Sequence, residues 1–211
     1  MPYRKKYYRR KKGKKTTLSI AKTALKKVNK LSKAQEIKHY DLDFLGPILL
    51  DWFGAVISLN VGIPQGLKDT ERIGDLIYCL GVRIKFILSL NTIDRAMCRF
   101  ILIWDKEDSI ATADDMLSKT QNANVINSPY IVDDRHRYIV LHDKVVKLNN
   151  GQNRIRQVTM SKRLNKKTQF EAATTDVTKG RLKLFVFCDQ DVSELGRPFI
   201  EGWSRLWYKD S

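Results

Sequence analysis

The strongest pattern in the chain is alternation. In residues 81–90, GVRIKFILSL, the apolar Val82, Ile84, Phe86, Leu88 and Leu90 fall on one side of an extended strand. Arg83, Lys85 and Ser89 fall on the other, with Ile87 as the exception. Successive side chains of a strand point to opposite faces, so this run predicts a strand with one buried face. Comparable runs at 37–45, 54–61, 97–104, 136–148, 155–161, 181–188 and 203–209 bring the expectation to about eight strands. The connectors at 62–76, 106–135 and 189–202 are long. A meander needs only tight turns. Long connectors predict an all-β fold of the Greek-key kind, an eight-stranded antiparallel jelly-roll sandwich over residues 36–211.

Two segments have helical rather than strand periodicity. Residues 113–119, ADDMLSK, predict a short helix, with Thr112 as its cap. In 17–35, Leu18, Ala21, Leu25, Val28 and Leu31 recur at spacings of three and four. Lys22, Lys26, Lys30 and Lys33 lie mainly on the opposite side, and Thr17 can cap the start. This is a basic amphipathic helix. The most apolar stretch, Phe44–Leu59, is shorter than the roughly 20 residues that span a bilayer and holds Pro47 and Asp51. It reads as core-forming chain with a turn at Gly46-Pro47, and no membrane insertion is expected.

Charge divides the chain in two. Lys and Arg number 39 against 23 Asp and Glu, a net of +16. Residues 1–35 hold 14 of the basic residues and no acid, because the first carboxylate is Glu36. That leaves 25 basic and 23 acidic residues in the body, a net of +2. Self-repulsion and the little it has to bury keep such an arm from folding alone. The expected organisation is a basic arm with its helix at 1–35 and one β-sandwich domain at 36–211. Arg4, Lys5, Lys6, Arg9, Arg10, Lys11, Lys12, Lys14 and Lys15 alternate with Tyr3, Tyr7 and Tyr8. Cations neutralise phosphates without reading sequence, and tyrosines stack on unpaired bases. These twelve residues form the candidate interface for single-stranded nucleic acid. RRKKGKK at Arg9–Lys15 also fits a nuclear localisation signal.

The remaining chemistry is sparse. Cys79, Cys98 and Cys188 are widely spaced and read as three buried thiols. His136 and His142 fall on one expected strand, but two ligands without a third make a poor zinc site. The acid pairs Asp114-Asp115 and Asp133-Asp134 fall at an expected helix start and in a loop. No nucleophile elbow, phosphate loop or zinc-protease motif occurs. The expectation is no catalytic residue, no metal, no cofactor and no enzyme.

Four short segments carry a resemblance: Arg72-Ile-Gly-Asp75, Arg99-Phe-Ile-Leu-Ile-Trp-Asp105, Tyr138-Ile-Val-Leu-His-Asp143 and the terminal Trp207-Tyr-Lys-Asp210. Behind a basic Tyr/Arg/Lys arm, their order resembles the capsid proteins of small circular single-stranded DNA viruses, the circovirus-like group. It is also similar to the single-jelly-roll coats of plant satellite RNA viruses. The arm is richer in Lys than many circovirus arms, and shorter, which leaves DNA against RNA open. The resemblance implies a capsid protein that self-assembles into an icosahedral T=1 shell of about 60 copies and packages a single-stranded genome, DNA in the circovirus case. It implies a virion component that visits the host nucleus, with host import machinery and a cell receptor as further partners. Two other classes compete. A ribosomal-type nucleic-acid-binding protein would spread its cations over the folded body. An enzyme on nucleic acid would need clustered acids that the spacing does not supply.

Overall fold

The computed structural model describes residues 20–27, 36–91, 93–118, 122–151, 153–191 and 196–211. By its contacts the chain separates into two units, 1–35 and 36–211. The second holds nine strands among the described residues. They are β1 (Lys38–Leu49), β2 (Ala55–Ser58), β3 (Leu76–Ser89), β4 (Arg95–Asp105), β5 (Tyr138–Asn149), β6 (Ile155–Phe170), β7 (Val177–Lys179), β8 (Arg181–Cys188) and β9 (Phe199–Asp210). One sheet runs β1-β9-β3-β6-β7 and the other β2-β8-β4-β5, with every pairing antiparallel. From β1 to β4 each strand lies in the opposite sheet to the one before it, and β8 and β9 cross again. That winding is the double Greek key of a jelly roll.

The alternation in β3 explains the main core. Val82, Ile84, Phe86 and Leu88 are buried against the facing sheet, and Arg83 and Lys85 are exposed. Phe86 meets Phe100 of β4 across the gap, with ring centroids 4.9 Å apart. Leu206 and Tyr208 of β9 and Leu184 and Val186 of β8 complete the contact. Ser89, expected outward, is buried at the end of the strand.

β4 and β8 do not alternate, and the reason is a second core. Their outward residues Ile101, Ile103, Phe185 and Phe187 are covered by Ile110, Met116, Val125 and Ile126. The long connector between β4 and β5 therefore folds back over the sheet through 3-10 turns at Ala113–Asp115, Asn122–Asn127 and Asp133–His136. The helix expected at 113–119 is reduced to the first of these turns. Asp115 accepts the backbone N–H groups of Ala111 and Thr112, and the Thr112 hydroxyl donates to the same carboxylate. Leu117 then bridges to Tyr130, which draws Met116 and Leu117 into the second core and ends the helical path.

Other expectations are corrected in similar ways. β1 does not turn at Gly46-Pro47. It continues to Leu49 with a register shift between Phe44 and Ile48. Proline has no N–H to give to a ladder, and an edge strand accommodates it as a bulge. His136 closes a 3-10 turn and β5 starts at Tyr138, so His136 and His142 do not share a strand. Asp133-Asp134 opens that turn rather than lying in open loop. β6 runs nine residues past its expected end because Leu164, Thr168 and Phe170 face inward.

The sheet-to-sheet crossing at 180 is pinned. Gly180 has φ +73, and a Cβ there would lie 2.3 Å from the Lys167 carbonyl. Its own carbonyl accepts hydrogen bonds from Asn60 Nδ2 and Thr168 Oγ1, each at 2.8 Å. Asn60 Oδ1 in turn accepts the Leu182 N–H. Asn60 and Thr168 are fully buried, so this set joins the two sheets through satisfied polar groups.

Candidate nucleic-acid interface

Tyr3, Arg4, Lys5, Lys6, Tyr7, Tyr8, Arg9, Arg10, Lys11, Lys12, Lys14 and Lys15 all lie outside the described residues, as do Leu18, Val28, Lys30, Leu31 and Lys33 of the expected helix. Of that helix the structure describes 20–27, which is helical, with every residue exposed. Ala21 and Leu25 share one face and Lys22 and Lys26 the next, as the spacing requires.

In the body, the four segments that carry the resemblance each supply an anchor. Arg72 is completely buried. It donates to the carbonyls of Gly74 and Thr174 and to Asp75 at 3.1 Å, and its guanidinium lies 4.3 Å from the centre of the Phe170 ring. This ties the connector before β3 to the turn after β6. Asp210 accepts the Ile73 N–H at 2.8 Å and pairs with Lys38 at 3.0 Å.

Arg99 anchors the covering segment. Its Nε and Nη2 donate to Asp143 at 3.0 and 2.7 Å, and its Nη1 donates to the carbonyls of Val125 and Ser128 at 3.1 and 2.8 Å. The Tyr130 hydroxyl donates to Asp143 at 2.6 Å. Burial alone would raise the Asp143 carboxyl, but the Arg99 and Tyr130 hydrogen bonds outweigh it and hold it below its ordinary value. Burial and the same carboxylate push the Tyr130 phenol up. Lys183 makes a second anchor, reaching Asp105 at 3.0 Å and Asp108 at 2.8 Å. Asp105 also accepts the N–H groups of Ser109 and Ile110. These contacts overcome the burial that would raise its carboxyl, which stays below the usual range. In both clusters the carboxylates are engaged by fixed donors. Their arrangement holds loops in place.

The three cysteines are free and buried. Burial pushes the Cys79 thiol up to about 12. Cys98 and Cys188 lie opposite one another on β4 and β8.

The outer face of the five-stranded sheet is different in kind. The register aligns His39, Trp207, Gly81 and Arg163 in one row. Asp41, Arg205, Arg83 and Ser161 form the next, and Asp43, Trp203, Lys85 and Thr159 the third. On this face β3 and β6 carry four cations and no carboxylate: Arg83, Lys85, Arg163 and Lys167. An open groove of about 440 Å³ lies beside Trp207. The sequence signal for this face was available in part, as Arg83 and Lys85 alternate outward. The meeting of Trp207 with Gly81 and Arg163 was not, because the three lie on separate strands.

Neither a protein-family model nor a curated protein matches the sequence. Among solved structures, the chain is similar to one of Desmodium yellow mottle tymovirus, at 13% identity over 82% of this chain and 87% of that one, with a TM-score of 0.38. An Israeli acute paralysis virus particle shares 14% identity over 99% of this chain and 81% of the other, with a TM-score of 0.32. The VP2 subviral particle of infectious bursal disease virus shares 9% identity over 82% of this chain and 33% of its own, with a TM-score of 0.33. The fold assignment rests on the strand order itself.

Proposed function

We propose that the chain is the coat protein of a small virus, which closes into an icosahedral shell and holds a single-stranded genome with its basic arm. One observation carries this reading: a jelly-roll body that is almost neutral follows 35 residues with 14 cations and no acid. Shell formation needs no bond chemistry, and the anchored carboxylates of the body suit a rigid building block. The circovirus-like group, with a single-stranded DNA genome, is the specific form we favour. The Arg9–Lys15 cluster would then also direct the subunit to the nucleus before assembly.

The charge sets the capacity. Closed symmetry in its simplest icosahedral case gives about 60 subunits, so the arms bring ~840 cations into one cavity. Each contacted phosphate takes about one cation, so the cargo is of the order of a thousand nucleotides. Sedimentation and light scattering of the purified full chain with a single-stranded polyanion test the proposal. The expected species is about 1.5 MDa, ~60 copies of a 24.5 kDa chain. A 25 kDa monomer under every salt and polyanion condition, as the ribosomal-type reading expects, would refute it.

A further inference from the structure

The outer face of the five-stranded sheet has a composition that shell building alone does not explain. Trp207 lies half-buried on β9 with Gly81 as its neighbour on β3, and Arg163 lies beyond Gly81 on β6. Gly81 brings the backbones of β3 and β6 close together, since a Cβ there would lie 3.1 Å from the Lys162 carbonyl, and Ile37 and Leu80 line the groove with Trp207. Arg83 borders it from the next row. Among the described residues no carboxylate pairs with Arg83, Lys85, Arg163 or Lys167, whereas Arg205 is held by Asp41 at 2.6 Å. Arg83 donates to the Ser161 hydroxyl at 3.4 Å but keeps its charge without a carboxylate partner. An apolar slot with an aromatic wall and such cations beside it matches an unpaired base with a phosphate on either side.

We propose that this groove is a second nucleic-acid site, on the folded body, in which an unpaired base stacks on Trp207 over Gly81 and its flanking phosphates meet Arg83 and Arg163. The proposal deepens the reading above and depends on it only in taking single-stranded nucleic acid as the ligand. Trp203 stands four residues away on the same strand, roughly 13–14 Å along it, and pairs with Lys85. It offers a second aromatic surface in line with the first. A duplex keeps its bases stacked inside and has no use for such a slot. A second copy docked on this face by a two-fold axis would set the cationic stripe against itself.

The test uses the full chain and three labelled 15-mers of equal charge: oligo(dT), oligo(rU) and an abasic strand, with affinities read by fluorescence anisotropy. The arm sees the same phosphates in all three, so only base contacts separate them. Oligo(dT) should bind about tenfold more tightly than the abasic strand. Trp207→Ala should reduce that gap at least fivefold, and Arg163→Glu, at an exposed position that leaves the core intact, should weaken both strands. Oligo(rU) binding as well as oligo(dT) supports the site equally, because stacking does not need the deoxy sugar. Equal affinity of the native chain for the base-bearing and abasic strands overturns the groove and leaves the arm reading standing. So does a gap that survives Trp207→Ala, which would assign the stacking to Tyr3, Tyr7 and Tyr8. A Trp207→Ala chain that keeps the gap but changes particle sedimentation also overturns it, marking the face as a contact between copies. Failure of all three strands to bind at low salt overturns both proposals together.

Discussion

Replacing Arg99 with Met removes a buried tie that joins the covering segment 106–137, through the carbonyls of Val125 and Ser128, to β4 and β5 beneath it. The methionine keeps an apolar stem of similar length on β4, so the loss is electrostatic. Asp143 loses a bidentate partner, and the carbonyls of Val125 and Ser128 lose their donor. The Arg99 side chain is 8% exposed and that of Asp143 29%, so water replaces little of this. Breaking a buried pair from one side costs about 3–5 kcal/mol. A domain of this size loses roughly 2–4 °C of melting temperature per kcal/mol, which predicts a fall of roughly 6–20 °C by circular dichroism. Hydrogen exchange should rise first in 106–137, since that segment loses its anchor before the sheets loosen. The double variant Arg99→Met/Asp143→Asn should cost less than the sum of the singles, because each disrupts the same interaction. A single variant melting within about 2 °C of the native chain, with exchange unchanged in 106–137, would refute the anchoring argument.

Three further outcomes are expected. Deleting residues 1–15 should leave the melting temperature of the body within about 2 °C, and reduce the log–log salt slope of single-strand binding by about 0.7 for each phosphate no longer bound; an unchanged slope would count against the arm. Gly180→Ala should sharply lower the yield of folded protein, because φ +73 and a Cβ 2.3 Å from the Lys167 carbonyl leave no room for it; normal yield and melting would contradict that geometry. Acid should destabilise the body. Asp105 and Asp143 are depressed in the fold, so their contribution is present above the unfolded value of about 3.9 and is lost as pH falls further through the folded values. Melting scans from pH 7 to 2 should fall below about pH 4, and Asp143→Asn should lower the plateau and shrink the fall; an equal drop in both chains would remove Asp143 from the explanation.

What the sequence reveals of this fold depends on how far apart the partners are. The alternation of β3 is local, and it placed Val82, Ile84, Phe86 and Leu88 in the core directly. The double-sided apolar runs of β4 and β8 were visible as strands, but nothing local said that the connector 106–137 would cover them. That cover depends on Arg99 reaching the carbonyls of Val125 and Ser128, 26 and 29 positions away. The polar run after Ser161 concealed half of β6, because its inward residues are separated by lysines. Val177–Lys179 was missed because a three-residue strand just before a tight crossing has no period to detect. Gly180 looks like an ordinary strand-start glycine until Asn60 and Thr168 are seen to hold its carbonyl. The interface residues Tyr3 to Lys15 were named from composition alone, and they lie outside the described residues.

The division of charge bears on how a shell of this kind would be controlled. Subunits that pack side by side bring their bodies within a few ångströms, well inside the Debye length of about 8 Å at physiological salt. A body carrying the whole +16 would repel its neighbours at that distance. With only +2 on residues 36–211, the side contacts can form by ordinary burial. In the proposed shell of ~60 subunits the cost of assembly would lie almost entirely in the arms, where ~840 like charges in one cavity would oppose closure until a polyanion neutralised them. On the proposed reading, a strand long enough to neutralise many arms at once becomes the condition for closure. The same arrangement explains why a cationic sheet face is tolerable on an otherwise neutral body. On that reading Arg83, Lys85, Arg163 and Lys167 would repel a copy of themselves but attract a strand gathered by the arms, and the groove beside Trp207 would favour cargo over self-contact.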